Sequence, residues 1–270
     1  MKALFSPSRF LAIGLCLCLS WSALAQSEGR PSQDRVIFAS NEHVKLASRY
    51  YEQALRSIEH ESRQYMNTAL EEAVYALRLY PDNAKAHGLI GLIYMVLKEN
   101  DKAEAAFSRA LRLTPDESEL NNNYGLFLCE SGKARQSIEY FLKALRNPLY
   151  ETPDIAYTNA GRCALRAGDL VGAERYLDLA LQRAVDGGVL AKIQLAKVYY
   201  RRGEYEKSRV YLNEVIKRFD SPTPEALLLG IRLENKLGNQ VEARSYEQRL
   251  RNRYPNSQEY QDFLNGKFED

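Results

Sequence analysis

The chain has 270 residues, with 37 lysines and arginines against 35 aspartates and glutamates. Charges of both signs are mixed along it, so the composition gives no basic footprint of the kind that nucleic acid or anionic lipid attracts. The three histidines are scattered, and there is no glycine-rich phosphate loop or Gly-x-Ser-x-Gly elbow. We therefore expect no enzymatic activity, cofactor, metal site or nucleic-acid partner.

The first 25 residues have the pattern of a secretory signal peptide. Lys2 and Arg9 precede an apolar run over residues 10–21, and Ala23 and Ala25 fit the A-x-A cleavage rule, which places the cut before Gln26. No later segment approaches the roughly 20 apolar residues that a transmembrane helix needs. These features predict an exported, periplasmic protein whose mature chain has no transmembrane segment.

The leader contains two cysteines, but its pattern argues against a lipid anchor. Cys16 and Cys18 each follow a leucine, whereas a lipidated cysteine follows a small residue, so we expect ordinary cleavage after Ala25. Cleavage removes Lys2, Arg9 and no acidic residue, which makes the numbers of basic and acidic residues equal. The segment 26–39 is polar, and we predict that it is flexible.

Residues 40–257 repeat with a period of about 34, which is the tetratricopeptide (TPR) pattern. The clearest unit, 84–117, has Gly91 at position 8, and the other characteristic residues are Tyr94, Ala103, Phe107, Ala110 and Pro115. Further units follow at 118–151, 154–187, 189–222 and 224–257. The last is degenerate, because Glu247 stands where an aromatic residue is expected. The first unit, 40–83, has ten extra residues, which predict an extended helix or an inserted turn around 52–62.

The repeats predict an all-α protein, a right-handed TPR superhelix of about six helical hairpins. Small residues at positions 8 and 20 allow two antiparallel helices to approach closely, and proline at position 32 ends the second helix. Solenoids need a cap at each end. The tail 258–270, with apolar Tyr260, Phe263 and Leu264, is predicted to be a C-terminal capping segment.

Side-chain amides recur on the first helices of the central repeats. Asn123, Asn159 and Gln194 occupy position 6 of successive repeats, and Asn122 occupies position 5. An amide has donors and an acceptor that match an extended peptide backbone, so this column is a candidate peptide-binding ladder, with Arg162 beside it for an acidic group of the partner. In the alternative interpretation, the amides only cap the preceding turn or bond neighbouring repeats.

Cys129 and Cys163 are the cysteines of the mature chain, and they lie at about the same height on neighbouring first helices. An even pair in an exported protein favours a disulfide. The alternative is a pair of reduced, buried thiols that behave as small apolar residues.

Three stretches resemble the type IV pilus biogenesis and stability family that includes PilW and PilF. They are 122–129 (NNYGLFLC), 144–150 (ALRNPLY) and 159–164 (NAGRCA), and the ending 250–257 (LRNRYPNS) is similar too. The resemblance covers nearly all of the mature chain. It implies a periplasmic pilotin-like adaptor for the outer-membrane secretin and other pilus proteins, and it implies that Cys129 and Cys163 pair. Pilotins of this family are commonly lipoproteins, which this leader does not match.

Two other functions fit a periplasmic TPR protein. One is a scaffold for a different envelope assembly system, and the other is a chaperone for unfolded exported chains. A chaperone would bind many extended peptides with little sequence preference, whereas an adaptor for pili would recover the secretin.

Overall fold

The structure is a computed structural model that describes residues 32–185, 187–218 and 222–266. The signal peptide predicted for 1–25 and residues 26–31 of the predicted flexible segment lie outside these ranges. The described residues form thirteen helices and no strand. The helices are α1 (Gln33–Arg56), α2 (Glu59–Leu79), α3 (Ala84–Val96), α4 (Asn100–Leu113), α5 (Ser118–Glu130), α6 (Ala134–Ala144), α7 (Pro153–Arg166), α8 (Leu170–Leu181), α9 (Val189–Arg201), α10 (Tyr205–Arg218), α11 (Pro224–Lys236), α12 (Gln240–Arg253) and α13 (Gln258–Leu264).

The chain divides into two compact units, Met1–Ala86 and His87–Asp270, which we describe separately. In the described part of the first unit, α1 and α2 pack together as a long hairpin that turns at Ser57 and Ile58. The ten extra residues of the first repeat therefore lengthen its helices. Small residues, Ala47, Ala69 and Ala73, are fully buried along the hairpin, which allows close helix packing.

The prediction of a flexible segment over 26–39 was wrong for the described residues, because α1 begins at Gln33. Val36 and Ile37 are half-buried, and Ser40 is fully buried with its hydroxyl donating to the Ala76 carbonyl at 2.8 Å. Asn83 donates to the same hydroxyl at 2.8 Å. The polar composition suggested disorder, but these apolar and bonded residues give the segment enough tertiary contacts to be helical.

In the second unit each repeat brings a small residue of its first helix against a large side chain of its second. A Cβ atom on Gly91 or Gly125 would lie within 3 Å of the buried rings of Phe107 or Phe141, and one on Gly161 would lie 2.5 Å from Leu177 Cγ. Glycine at position 8 of repeats 2 to 4 therefore leaves room for the large side chain of the second helix. The first and second helices are joined by a residue with positive φ, which is Gly132, Gly168, Gly203 and Gly238 in repeats 3 to 6 and Lys98 in repeat 2.

The last repeat keeps this packing one residue out of register. Gly230 faces the ring of Tyr246, since a Cβ atom on residue 230 would lie 2.7 Å from Tyr246 Cδ2, and both members of the pair come one position early. The aromatic residue expected at Glu247 is therefore present as Tyr246. Glu234, one turn after Gly230 on α11, is 3% exposed and enclosed between Arg209 and Asn239.

A helix is present where the sequence predicts the capping segment. Ser257 caps α13 by accepting from the Tyr260 amide at 3.2 Å, and Tyr260 and Phe263 pack against the buried residues of α11. Across the part of the chain that the structure describes, no helix combines the length and the apolar character that membrane crossing requires.

Candidate functional site

The candidate site lies where the first helices α5, α7, α9 and α11 of neighbouring repeats contact one another. We call it the first-helix face. It contains the amide and charged side chains at positions 2, 5, 6, 9 and 13 of repeats 3 to 6, and their mutual contacts define its surface.

Asn122, Asn123 and Asn159 form one amide cluster on this face. The Asn159 side-chain NH₂ donates to the Asn122 carbonyl oxygen at 3.1 Å, and that of Asn122 approaches the Asn123 oxygen at 3.5 Å. Asn122 is 5% exposed, whereas Asn123 and Asn159 are half-buried. The structure therefore brings three of the predicted residues together, with two of them accessible to a partner.

Asn121, the first of the three consecutive asparagines, has a different environment. It is fully buried, and its NH₂ donates to the Pro115 and Glu117 carbonyl oxygens at 2.8 and 2.7 Å. These bonds tie α5 to the turn before it, which offsets the poor helix propensity of asparagine.

Gln194 lies apart from the amide cluster. It is 5% exposed and donates to Glu225 at 3.1 Å, and the same carboxylate pairs with Lys197 at 2.7 Å. The amide of Gln194 links α9 to α11, which is the contact between neighbouring repeats that the alternative interpretation predicts.

Arg162 and Arg166 share a single carboxylate. Glu130 lies 3.4 Å from Arg162 Nη2 and 2.8 Å from Arg166 Nη1. Burial lowers the pKa of Arg162, while Glu130 opposes that change and the neighbouring Arg166 adds to it. Among the described residues no group accepts from the buried Arg162 Nε. Two cations against one anion leave a positive excess at this point of the face.

Cys129 and Cys163 are joined in the structure, with their Cα atoms 5.8 Å apart. Each cysteine is next in sequence to a member of the Glu130, Arg162 and Arg166 ion pairs, because Glu130 follows Cys129 and Arg162 precedes Cys163. The bond therefore fixes α5 against α7 at the level of the Glu130 and Arg162 pair, one turn from Asn159.

Sequence reasoning missed several charged residues of this face, among them Glu130, Lys197, Arg201 and Glu225. Arg201 donates to the Leu165 carbonyl at 2.9 Å, which places it across from α7. Comparing positions 9 and 13 from repeat to repeat would have revealed the basic residues, because both positions are basic in repeats 4 to 6.

The arrangement provides hydrogen-bonding groups and charges that can bind a partner. Its polar groups are amides and paired charges on helices, and it contains no nucleophile with an adjacent base. In the described part of the chain, no three histidine, cysteine or acidic residues cluster in a way that could hold a metal ion.

Comparison with known proteins gives consistent matches. The tetratricopeptide repeat family model matches residues 61–118, 128–188 and 193–257. The type IV pilus assembly protein PilF of Pseudomonas aeruginosa is 28% identical over 188 residues, which are 70% of this chain and 74% of PilF.

Solved structures agree with these matches. The crystal structure of PilW, described as a widely conserved type IV pilus biogenesis factor, is 34% identical, with a TM-score of 0.71 over 83% of this chain and 98% of PilW. The structure of Pseudomonas aeruginosa PilF is 25% identical, with a TM-score of 0.67 over 84% of this chain and 97% of PilF. The chain therefore belongs to the tetratricopeptide repeat family and, within it, to the type IV pilus TPR proteins that include PilW and PilF.

Proposed function

We propose that this protein is a periplasmic TPR adaptor for type IV pilus biogenesis. In this proposal it is exported by the signal peptide of residues 1–25, carries no lipid anchor, and acts at the outer membrane through its partners. It assists the assembly or localisation of the outer-membrane secretin and supports pilus stability. The observation that carries the proposal is the 34% identity to PilW over 83% of this chain.

The adaptor acts by binding an extended segment of the secretin, or of another pilus protein, on the first-helix face. Asn122, Asn123 and Asn159 hold the segment by its main chain, and Arg162 pairs with an acidic group. Solenoids present extended concave surfaces of this kind to partners, and amide side chains match the hydrogen bonds of an extended backbone. Asn123 and Asn159 are only half-buried, which supports this role, whereas Gln194 is enclosed and supports the helices beside it.

The test of the function is the amount of heat- and detergent-resistant secretin multimer in outer membranes of a strain that lacks the gene. We expect the multimer to be lost while secretin monomer persists, with recovery when the gene is returned. A normal multimer with missing or unstable pili would indicate that the protein acts on the pilus fibre rather than on the secretin. If multimer and pili are both normal, the proposal is wrong, and a scaffold for another envelope assembly system becomes the better interpretation.

The amide cluster is tested by Asn123→Ala combined with Asn159→Ala. We expect secretin recovery by the purified protein to fall about thirtyfold, because loss of two main-chain hydrogen bonds costs about 1 kcal/mol each at a desolvated contact, about 2 kcal/mol together. A matched control is Asn213→Ala on α10, which removes an amide from a second helix. Unchanged recovery by the double variant, with unchanged helicity, would exclude the cluster from the mechanism.

A further inference from the structure

Three enclosed polar atoms at one end of repeat 3 have no hydrogen-bond partner among the described residues. They are Ser118 Oγ, Asn121 Oδ1 and the hydroxyl oxygen of Tyr150. Ser118 is 5% exposed and Asn121 is fully buried, and the Tyr150 hydroxyl is enclosed although the residue as a whole is half-buried. A buried polar group without a partner destabilises the folded state, and native proteins rarely leave one unpaired.

Two of these atoms lie on one side of the first turn of α5. The Asn121 NH₂ group donates to the Pro115 and Glu117 carbonyl oxygens at 2.8 and 2.7 Å. Both of its protons are used, so Oδ1 is the acceptor on the other side of the carboxamide. Ser118 comes three residues earlier in α5, and residues three apart are neighbours on the surface of a helix. The Ser118 hydroxyl and the Asn121 oxygen therefore stand close together.

Tyr150 reaches the same place from the turn between α6 and α7. Burial chiefly raises the pKa of Tyr150, to about 12. Three carboxylates raise this pKa further, those of Glu119, Glu117 and Asp154. Because Glu117 and Glu119 flank Ser118 in the sequence, their effect places the Tyr150 hydroxyl beside the start of α5. Thr152 stands next to this hydroxyl and lowers the pKa, but the two groups do not have hydrogen-bonding geometry.

The three groups need a partner that both donates and accepts hydrogen bonds. Asn121 Oδ1 can only accept, whereas the hydroxyls of Ser118 and Tyr150 each have a proton to donate. The raised pKa keeps the proton on Tyr150 at neutral pH. A water molecule has two protons and two lone pairs, so it can bond to all three groups at once. A sodium or potassium ion would bind the oxygens but leave both hydroxyl protons without an acceptor.

We propose that Ser118, Asn121 and Tyr150 form a binding site for one ordered water molecule, which joins the start of α5 to the turn before α7. The water donates to Asn121 Oδ1, accepts from the Tyr150 hydroxyl and completes its hydrogen bonds with Ser118. Asn121 thereby has a role that Asn122 and Asn123 do not share. Its nitrogen holds the turn before α5, and its oxygen holds the turn before α7 through the water. The site is enclosed, so it is independent of partner binding on the first-helix face.

A high-resolution crystal structure of the chain from Gln26 onward tests the site directly. We expect density for one water molecule that lies about 2.6 to 3.2 Å from each of the three oxygens. A direct hydrogen bond from the Tyr150 hydroxyl to Asn121 or Ser118, with no water between them, would overturn the inference. So would a density peak with the short distances and higher coordination of a metal ion.

A double-mutant cycle tests the site in solution with Ser118→Ala and Tyr150→Phe. Each change removes one hydroxyl and keeps the other atoms of the side chain. Each single variant should lower the melting temperature by about 2 to 4 °C, because the water loses a partner. The double variant should lower it by less than the sum, because the two hydroxyls bond to the same water and not to each other. Strictly additive shifts would mean that nothing links the two groups.

Ser118→Ala combined with Tyr254→Phe is the matched control for the cycle. The Tyr254 hydroxyl donates directly to the Pro222 carbonyl oxygen at 3.0 Å in the last repeat, so these two shifts should add. Melting in sodium, potassium and choline chloride at equal ionic strength distinguishes the water from a cation. We expect the same melting temperature in all three salts. A rise with sodium or potassium that is lost in Tyr150→Phe would assign the site to a cation and overturn the inference.

Discussion

Gly125 lies against the ring of Phe141, and a Cβ atom at residue 125 would lie 2.8 Å from Phe141 Cε1. Alanine improves helix propensity by about 1 kcal/mol relative to glycine, but overpacking a tight core costs about 1 to 3 kcal/mol. We therefore expect Gly125→Ala to lower the free energy of unfolding by about 1 kcal/mol net. The measurement is the urea midpoint followed by circular dichroism.

Repeat 5 supplies the control for this substitution. There the equivalent pair is Ala196 with Leu212, and both residues are buried at 0% and 2% exposure. Gly125→Ala with Phe141→Leu copies that pair into repeat 3, so the double variant should be more stable than the sum of the single effects predicts. Strict additivity of the two changes would contradict a direct contact between the pair.

Glu234 is a buried carboxylate whose charge is fully satisfied. Burial alone would raise its pKa, but hydrogen bonds from Arg209 and Asn239 and the charge of Arg209 outweigh it and lower the pKa below its ordinary value. The lowered pKa means that the ionised form is favoured in the folded state. The stability that this provides is present above the unfolded-state pKa and is lost as pH falls through the folded-state pKa.

We expect Glu234→Gln to lower the free energy of unfolding by about 2 kcal/mol at pH 7, because the bidentate charge-assisted contact is lost. The difference should shrink as pH is lowered through the range in which the native carboxyl titrates. Melting temperatures of both proteins between pH 7 and pH 3 test this. A constant difference over that range would show that Glu234 does not contribute through its charge.

At the scale of elements, the disulfide joins the first helices of two neighbouring repeats across 34 residues of sequence. A closed loop of this length stabilises the folded state by about 3 to 4 kcal/mol in the chain-entropy account. We expect reduction, or Cys129→Ser with Cys163→Ser, to lower the melting temperature of the chain from Gln26 onward. Thiol titration should find no free thiol in the denatured, unreduced protein, and two free thiols there would refute the bond.

The helical hairpins could be predicted from the sequence because glycine, alanine and proline mark helix contacts and ends. The prediction was wrong where it was based on the average composition of a segment rather than on the spacing of its residues. Residues 33–39 were assigned to a flexible segment because they are polar on average, although Val36 and Ile37 pack in α1. The repeat register also gave a wrong expectation at Glu247. Gly230 and Tyr246 are both shifted by one position, and this coupled shift cannot be recognised from either residue alone.

At the scale of the whole molecule, the sequence located the amides but not their partners. Asn122 and Asn159 bond to each other, and Gln194 bonds to Glu225, because side chains at neighbouring repeats fall at the same height. Total charge concealed the concentration of basic residues at positions 9 and 13 of repeats 4 to 6, since a sum over the chain discards position. Charge counted separately at each repeat position would have predicted it.

The disulfide also holds the protein together after a proteolytic cut between the two cysteines. The turn between α6 and α7 carries Leu149, which is 84% exposed, and it lies between the two bonded cysteines. Exposed turns of this kind are where proteases cleave folded proteins. A single cut there would leave the two fragments covalently joined and held in register at Cys129 and Cys163. The break would show only after reduction, and the nicked protein would keep both halves of its first-helix face.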